Sequence, residues 1–131
     1  MTRPHEAWFA MAEDDLNFAK VGLREKFYSQ VCFLSQQAIE KTLKGYLVHL
    51  GKTYPKTHKL IDLYRLCGAK FLEPFKNKIK LIDEFYIPTR YPDGIPGGLP
   101  NRASNDADAS EALKTAEDVM QVCLSHCSGG L

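Results

Sequence analysis

One segment constrains the fold more than any other. Between Phe27 and Leu50 the sequence carries two apolar stripes at helical spacing. One is Phe27, Val31, Leu34 and Ala38; the other is Tyr28, Cys32, Ile39, Leu43, Tyr46 and Leu50. A helix that is apolar over so wide an arc has to be surrounded by neighbours. The chain must therefore supply further amphipathic helices to cover it. Gly51 follows directly and suits a helical stop.

The covering elements can be read in turn. Trp8, Ala12, Leu16, Ala19 and Leu23 form a single stripe before this segment. After it, Thr57 is expected to cap a short helix bearing Leu60, Leu63, Tyr64 and Cys67 and ending at Gly68. Pro74 suits the first turn of a fourth helix, with Phe75, Ile79, Ile82 and Tyr86 as its stripe. A fifth should begin between Ser104 and Asp108, where Asp106, Asp108 and Glu111 favour the positive helix end. Its inward face is Ala109, Ala112, Ala116, Val119, Cys123 and Leu124. Sustained strand alternation is absent. The expectation is an all-α, up-and-down four-helix-type bundle with an extra short helix. Its core should hold Leu34, Ile39, Leu43, Leu63, Ile82, Ala116 and Val119.

Residues 87–103 break the pattern. Four prolines and three glycines exclude a helix, leaving a long crossover loop. At 131 residues the chain is read as a single domain spanning 1–131. Lys plus Arg number 17 and Asp plus Glu 16, so bulk positive charge is not what this chain offers a partner. The charge is uneven, however. Residues 51–102 hold ten basic side chains against five acidic, which makes the middle of the chain the surface for anionic ligands. No apolar run approaches the ~18 residues that span a bilayer, and the N-terminus lacks a signal-peptide core. A cytoplasmic protein with no membrane contact is expected. The four cysteines lack the paired spacing of a zinc site, so they are read as thiols, with no metal and no cofactor.

Three groups can carry chemistry. Gln30, Gln37, Glu40, Lys41 and Lys44 share one face of the central helix. This is either a solvated face with a Glu40–Lys44 pair at i, i+4, or a polar groove or dimer seam where a lysine meets an anion. His58 begins the third helix, where the dipole disfavours a cation; it either fixes the loop against the bundle or joins a site. Arg90 and Tyr91, between Pro88 and Pro92, are a stiff display of one guanidinium and one ring. They suit a phosphate grip and a base stack, or a turn in which Arg90 meets Asp93 and Tyr91 pins the loop. Phosphate-loop, dinucleotide and nucleophile-elbow patterns are absent.

These residues resemble the HEPN domain family. Trp8, Ala12, Asp15-Leu16 and Ala19 are similar to its opening helix, and Gln36-Gln37-Ala38-Ile39-Glu40-Lys41 to its most characteristic one. Pro55-Lys56-Thr57-His58-Lys59-Leu60 and Arg90-Tyr91-Pro92 resemble the motifs that follow. The resemblance implies a helical bundle paired as a homodimer, associated with a small nucleotidyltransferase or its nucleotide, as in some toxin–antitoxin pairs. On that reading Lys44 and Arg90 contact phosphate, His58 anchors the loop, Tyr91 stacks a base, and Gln37, Glu40 and Lys41 form a partner or dimer face. Ribonuclease members use an Arg followed four to six residues later by a His. This sequence departs from that spacing after Arg24, Arg65, Arg90 and Arg102. The expectation is thus a non-catalytic module, with a metal-independent ribonuclease acting through Arg90 and His58 on RNA as the alternative.

Overall fold

The computed structural model describes residues 3–85 and 104–128. Five α-helices follow in order: α1 (Pro4–Arg24), α2 (Tyr28–His49), α3 (Leu60–Cys67), α4 (Lys76–Ile82) and α5 (Asp106–Ser128). Two 3₁₀ segments, Lys70–Phe75 and Asp83–Phe85, flank α4. There is no strand among the described residues, and no helix is long and apolar enough to cross a membrane. Tyr86, Arg90 and Tyr91 lie outside the described residues.

As the double stripe required, α2 is the central element: it packs on α1, α3 and α5. Its Val31, Cys32, Ile39, Leu43 and Leu47 are wholly buried. Leu63, Ile82, Ala116 and Val119 join them in the core, while Leu34 is half-buried at its edge. The approach of α1 depends on Gly45. A Cβ there would stand 2.9 Å from the Trp8 Cβ and 3.2 Å from Phe9 Cε1. Bare backbone at this point brings Trp8 against α2.

The ends of α1 and α2 share one device. Past α2, Gly51 takes φ 75° while Lys52 N donates to Leu47 O at 2.9 Å and Gly51 N to Val48 O at 2.9 Å. Past α1, Phe27 N donates to Gly22 O at 2.8 Å and Lys26 N to Leu23 O at 3.2 Å. Both are Schellman closures. Lys26, however, sits at φ 65°, where a side chain is strained. Its own side chain is exposed. Lys26→Gly is therefore expected to stabilise the protein by about 0.5–1 kcal/mol. A thermal melt that falls instead would show that the Lys26 side chain contributes more than its backbone costs.

Two helix starts differ from expectation. Pro74 lies inside the first 3₁₀ segment, and α4 begins after it. Thr57 does not cap α3. Its hydroxyl accepts the Lys59 N–H at 3.1 Å, and α3 starts at Leu60. The open amides of that first turn are instead held from a distance. Leu60 N and Ile61 N donate to the two oxygens of Asp83, at 2.6 and 3.1 Å. Burial pushes the Asp83 carboxyl above the usual carboxylate range, although these two amides pull it back. A raised carboxyl favours folding when protonated. Its contribution is complete below the unfolded value near 3.9 and is lost as pH rises through the folded one. Wild type should thus gain stability relative to Asp83→Asn as pH falls from 7 toward 4. Urea unfolding of both across that range reads the difference; a flat or opposite trend would refute the assignment.

The start of α5 is closed reciprocally. Asp108 N donates to Asn105 Oδ1 at 2.9 Å, and Asn105 N to Asp108 Oδ2 at 3.0 Å. This is a capping box with aspartate in the usual glutamate position.

Candidate functional site

The polar face of α2 is not solvated. Glu40 and Lys44 are buried, and Gln37 and Lys41 are half-buried; only Gln30 of that set is exposed. Residues 51–59 and α1 cover it, which a surface reading of the i, i+4 pair did not anticipate. Lys44 Nζ lies 3.0 Å from Glu40 Oε2. The other oxygen, Glu40 Oε1, meets His58 Nδ1 at 3.1 Å. One carboxylate thus links an ammonium on its own helix to an imidazole on the following loop.

The neighbouring positions complete the attachment. Fully buried Gln36 donates through Nε2 to the backbone carbonyl of His58 at 3.0 Å and accepts Gln37 Nε2 at 2.6 Å. Lys41 reaches α1 instead, 2.7 Å from Asp15 Oδ2. Above Lys44 sit two rings, Tyr54 at 5.5 Å and Trp8 at 5.8 Å from its ammonium, and the rings themselves meet edge to face at 5.4 Å. This packing is favourable for a desolvated cation.

Sequence reasoning put Gln37, Glu40, Lys41 and Lys44 on one helix face and His58 in a separate group; the fold joins Glu40, Lys44 and His58 directly, while Lys41 turns to α1. That reasoning did not single out Gln36, Asp15, Trp8 or Tyr54 as their partners. The signal for Gln36 was available, since Gln36, Glu40 and Lys44 stand one helical turn apart. Tyr54 carried no such signal, because its ring reaches Lys44 through the course of the loop.

The chemistry of the assembly follows from its hydrogen bonds. With Nδ1 donating to the Glu40 carboxylate, the neutral His58 ring carries its lone pair on Nε2. The side chain is 54% exposed, so the ring stands at the surface although its Nδ1 partner is buried. Residues 51–59 add Lys52, Lys56 and Lys59 without an acidic residue. Lys52 is spent on the Leu66 carbonyl at 3.0 Å, while Lys56 and Lys59 are exposed. The arrangement offers an oriented imidazole within a basic surface.

Elsewhere the titratable groups serve the core. Burial pushes the Cys67 thiol up to about 12 and raises Cys123 and Cys127 as well. These thiols stay protonated and are poor nucleophiles. None of the four cysteines forms a disulfide. Among the described residues no cluster of three or more His, Cys, Asp or Glu side chains could hold a metal.

Comparison with known proteins agrees with this architecture. The sequence profile of the HEPN domain matches residues 5–126. Protein MJ1304 of Methanocaldococcus jannaschii, whose name marks it as a candidate toxin, is 32% identical over 122 residues, covering 85% of this chain and 80% of that one. Two crystal structures superimpose closely. One is ST0689, an archaeal HEPN homologue, with a TM-score of 0.76 at 28% identity, covering 96% of this chain and 99% of that one. The other is TT1696 from Thermus thermophilus, with a TM-score of 0.78 at 30% identity, covering 95% and 98%.

Proposed function

The chain belongs to the HEPN domain family, and from that premise we propose that it is a toxin-type, non-catalytic binding module that takes a nucleotide, a nucleotidyltransferase-type partner, or both. The observation that carries this reading is the buried Glu40 carboxylate, which holds His58 and Lys44 at once. It fixes a lysine-bearing loop to the central helix before any ligand arrives, and a preorganised basic surface is what an anionic ligand needs. In this reading His58 anchors the loop, the exposed Lys56 and Lys59 together with Arg90 provide positive charge for phosphate, and Tyr91 stacks the base, while Lys44, expected from the sequence to contact phosphate, is buried against Glu40 and serves the attachment instead. The module works as a pair of identical chains. Calorimetry of the purified protein against a panel of nucleotides, with a pull-down against the product of the neighbouring gene, tests it directly. Binding in one of them is expected, and His58→Ala should weaken it about tenfold by releasing the loop. No binding in either overturns the reading.

One feature favours a second reading. An imidazole whose Nδ1 rests on a carboxylate is oriented as a general base. With Arg90 stabilising a pentavalent phosphate, that base could take the proton of a ribose 2′-hydroxyl. On this alternative the protein cleaves RNA in the presence of a chelator, and both His58→Ala and Arg90→Ala abolish cleavage while the helical signal is retained. Cleavage surviving either substitution rejects it.

A further inference from the structure

Helices α4 and α5 leave a gap between them. It is a cavity of about 250 Å³. Its cause is in the sequence. On one side α5 presents only Ala107 and Ala112 as apolar groups; on the other α4 is seven residues long and offers Leu81 and Ile82. Small side chains opposite a short helix leave space that close packing does not reclaim. Ile82 and Ala112 are buried, and Leu81 is 52% exposed at the rim.

One polar group interrupts this apolar wall. Thr115 borders the cavity and is buried, and its hydroxyl has no hydrogen-bond partner among the described residues. A hydroxyl buried on a helix can bond the carbonyl one turn back, as Ser35 does to Val31 O at 2.8 Å. Thr115 does not, and a buried polar group left unpaired is costly. A water beside it would meet an otherwise apolar wall, short of the several polar partners that a buried water takes. The charges at the rim are already matched. Lys78 Nζ lies 3.2 Å from Glu111 Oε1, and Asp108 Oδ2 accepts the Asn105 N–H at 3.0 Å. A charged ligand would find no free countercharge here, whereas a neutral one needs none.

We propose that this cavity binds a small, uncharged, rigid ring compound with one hydrogen-bonding group, of the indole or phenol class, whose polar atom pairs with Thr115 Oγ1. An apolar cavity of about 150 Å³ takes a benzene ring. The larger space between α4 and α5 suits a substituted ring or a fused pair. A rigid ring also loses less freedom on entry than an alkyl chain does. The ring packs on Leu81, Ile82 and Ala112, and its polar atom gives Thr115 the partner that the protein withholds. Because the ligand touches both helices, it ties α4 to α5. The site shares no residue with the His58 region, so it is independent of the nucleotide-binding reading.

Indole and indene provide the test, since they share size and shape but only indole carries an N–H. Indole is titrated into the isotopically labelled full chain and followed by amide resonances. It should bind with a Kd of about 0.1–1 mM, within reach of a compound this small, and shift the amides of Ile82, Ala112 and Thr115. Indene should bind about fivefold more weakly, because it leaves the hydroxyl unpaired. Thr115→Val, which keeps the shape, should remove that preference by weakening indole alone. Ala112→Leu should abolish binding of both compounds by filling the space. Should that variant fail to fold, the indole–indene comparison in wild type and Thr115→Val decides the matter. An absence of indole shifts up to about 5 mM, or shifts centred elsewhere, overturns the site. Equal affinity for the two compounds, or a preference that Thr115→Val leaves intact, overturns the role of the hydroxyl and with it the ligand class.

Discussion

Glu40→Ala is expected to destabilise the protein by about 3–5 kcal/mol, since it leaves the buried Lys44 ammonium without a countercharge. The loss has a second part. The His58 ring loses its Nδ1 acceptor, so residues 51–59 are held to α2 mainly through Gln36. Urea unfolding of the variant measures the first effect. A control separates charge from packing: Glu40→Leu combined with Lys44→Met removes both charges and should recover more than half of the loss. If Glu40→Ala costs under about 1 kcal/mol, the carboxylate and ammonium are far better solvated than their burial implies.

Leu43→Ala should cost about 2–5 kcal/mol. Leu43 is 0% exposed and sits where α2 meets α3, with the Cys67 thiol directed at its backbone carbonyl at 3.8 Å. Removing its isobutyl group opens a void in the fully buried interior of the central helix. The m-value should stay unchanged while the urea midpoint falls. A loss below about 1 kcal/mol would mean that the surrounding side chains collapse into the space.

These two positions show what the sequence disclosed and what it did not. Leu43 was legible because burial on α2 follows from helical periodicity alone: its stripe has nowhere else to go. Glu40 was legible as half of an i, i+4 pair, but that spacing is identical for exposed and buried pairs. What buries Glu40 comes from residues 51–59 and from Trp8 on α1, and no local pattern announces such coverage. The similarity of Gln36 through Lys44 to a family motif pointed to the right helix without giving the reason, which is attachment of the loop. Asp83 illustrates the same limit. It stands more than twenty residues from the amides it holds, while nearby Thr57 had the conventional composition of a cap. Within α1, Ala12, Leu16 and Ala19 of the expected stripe are buried, but Trp8 and Leu23 are only half-buried and Phe9, one residue off the stripe, takes the inner place; Met11, Phe18 and Val21 were left out of account because they fall outside its period.

The carboxylate of Asp83 also sets how the molecule comes apart. An eight-residue helix such as α3 does not persist in water by itself. Its first amides are secured by a group on the segment leaving α4, so neither element can detach while the other stays fully bonded. Native-state hydrogen exchange should accordingly find the Leu60 and Ile61 amides opening in step with those of α4, as one cooperative unit below the global unfolding limit. Amides of the α2 interior should exchange only through whole-molecule unfolding. The bundle is then two tiers of different permanence, a durable frame of α1, α2 and α5 and a detachable flap whose two short helices, α3 and α4, are tied to each other through the Asp83 carboxylate.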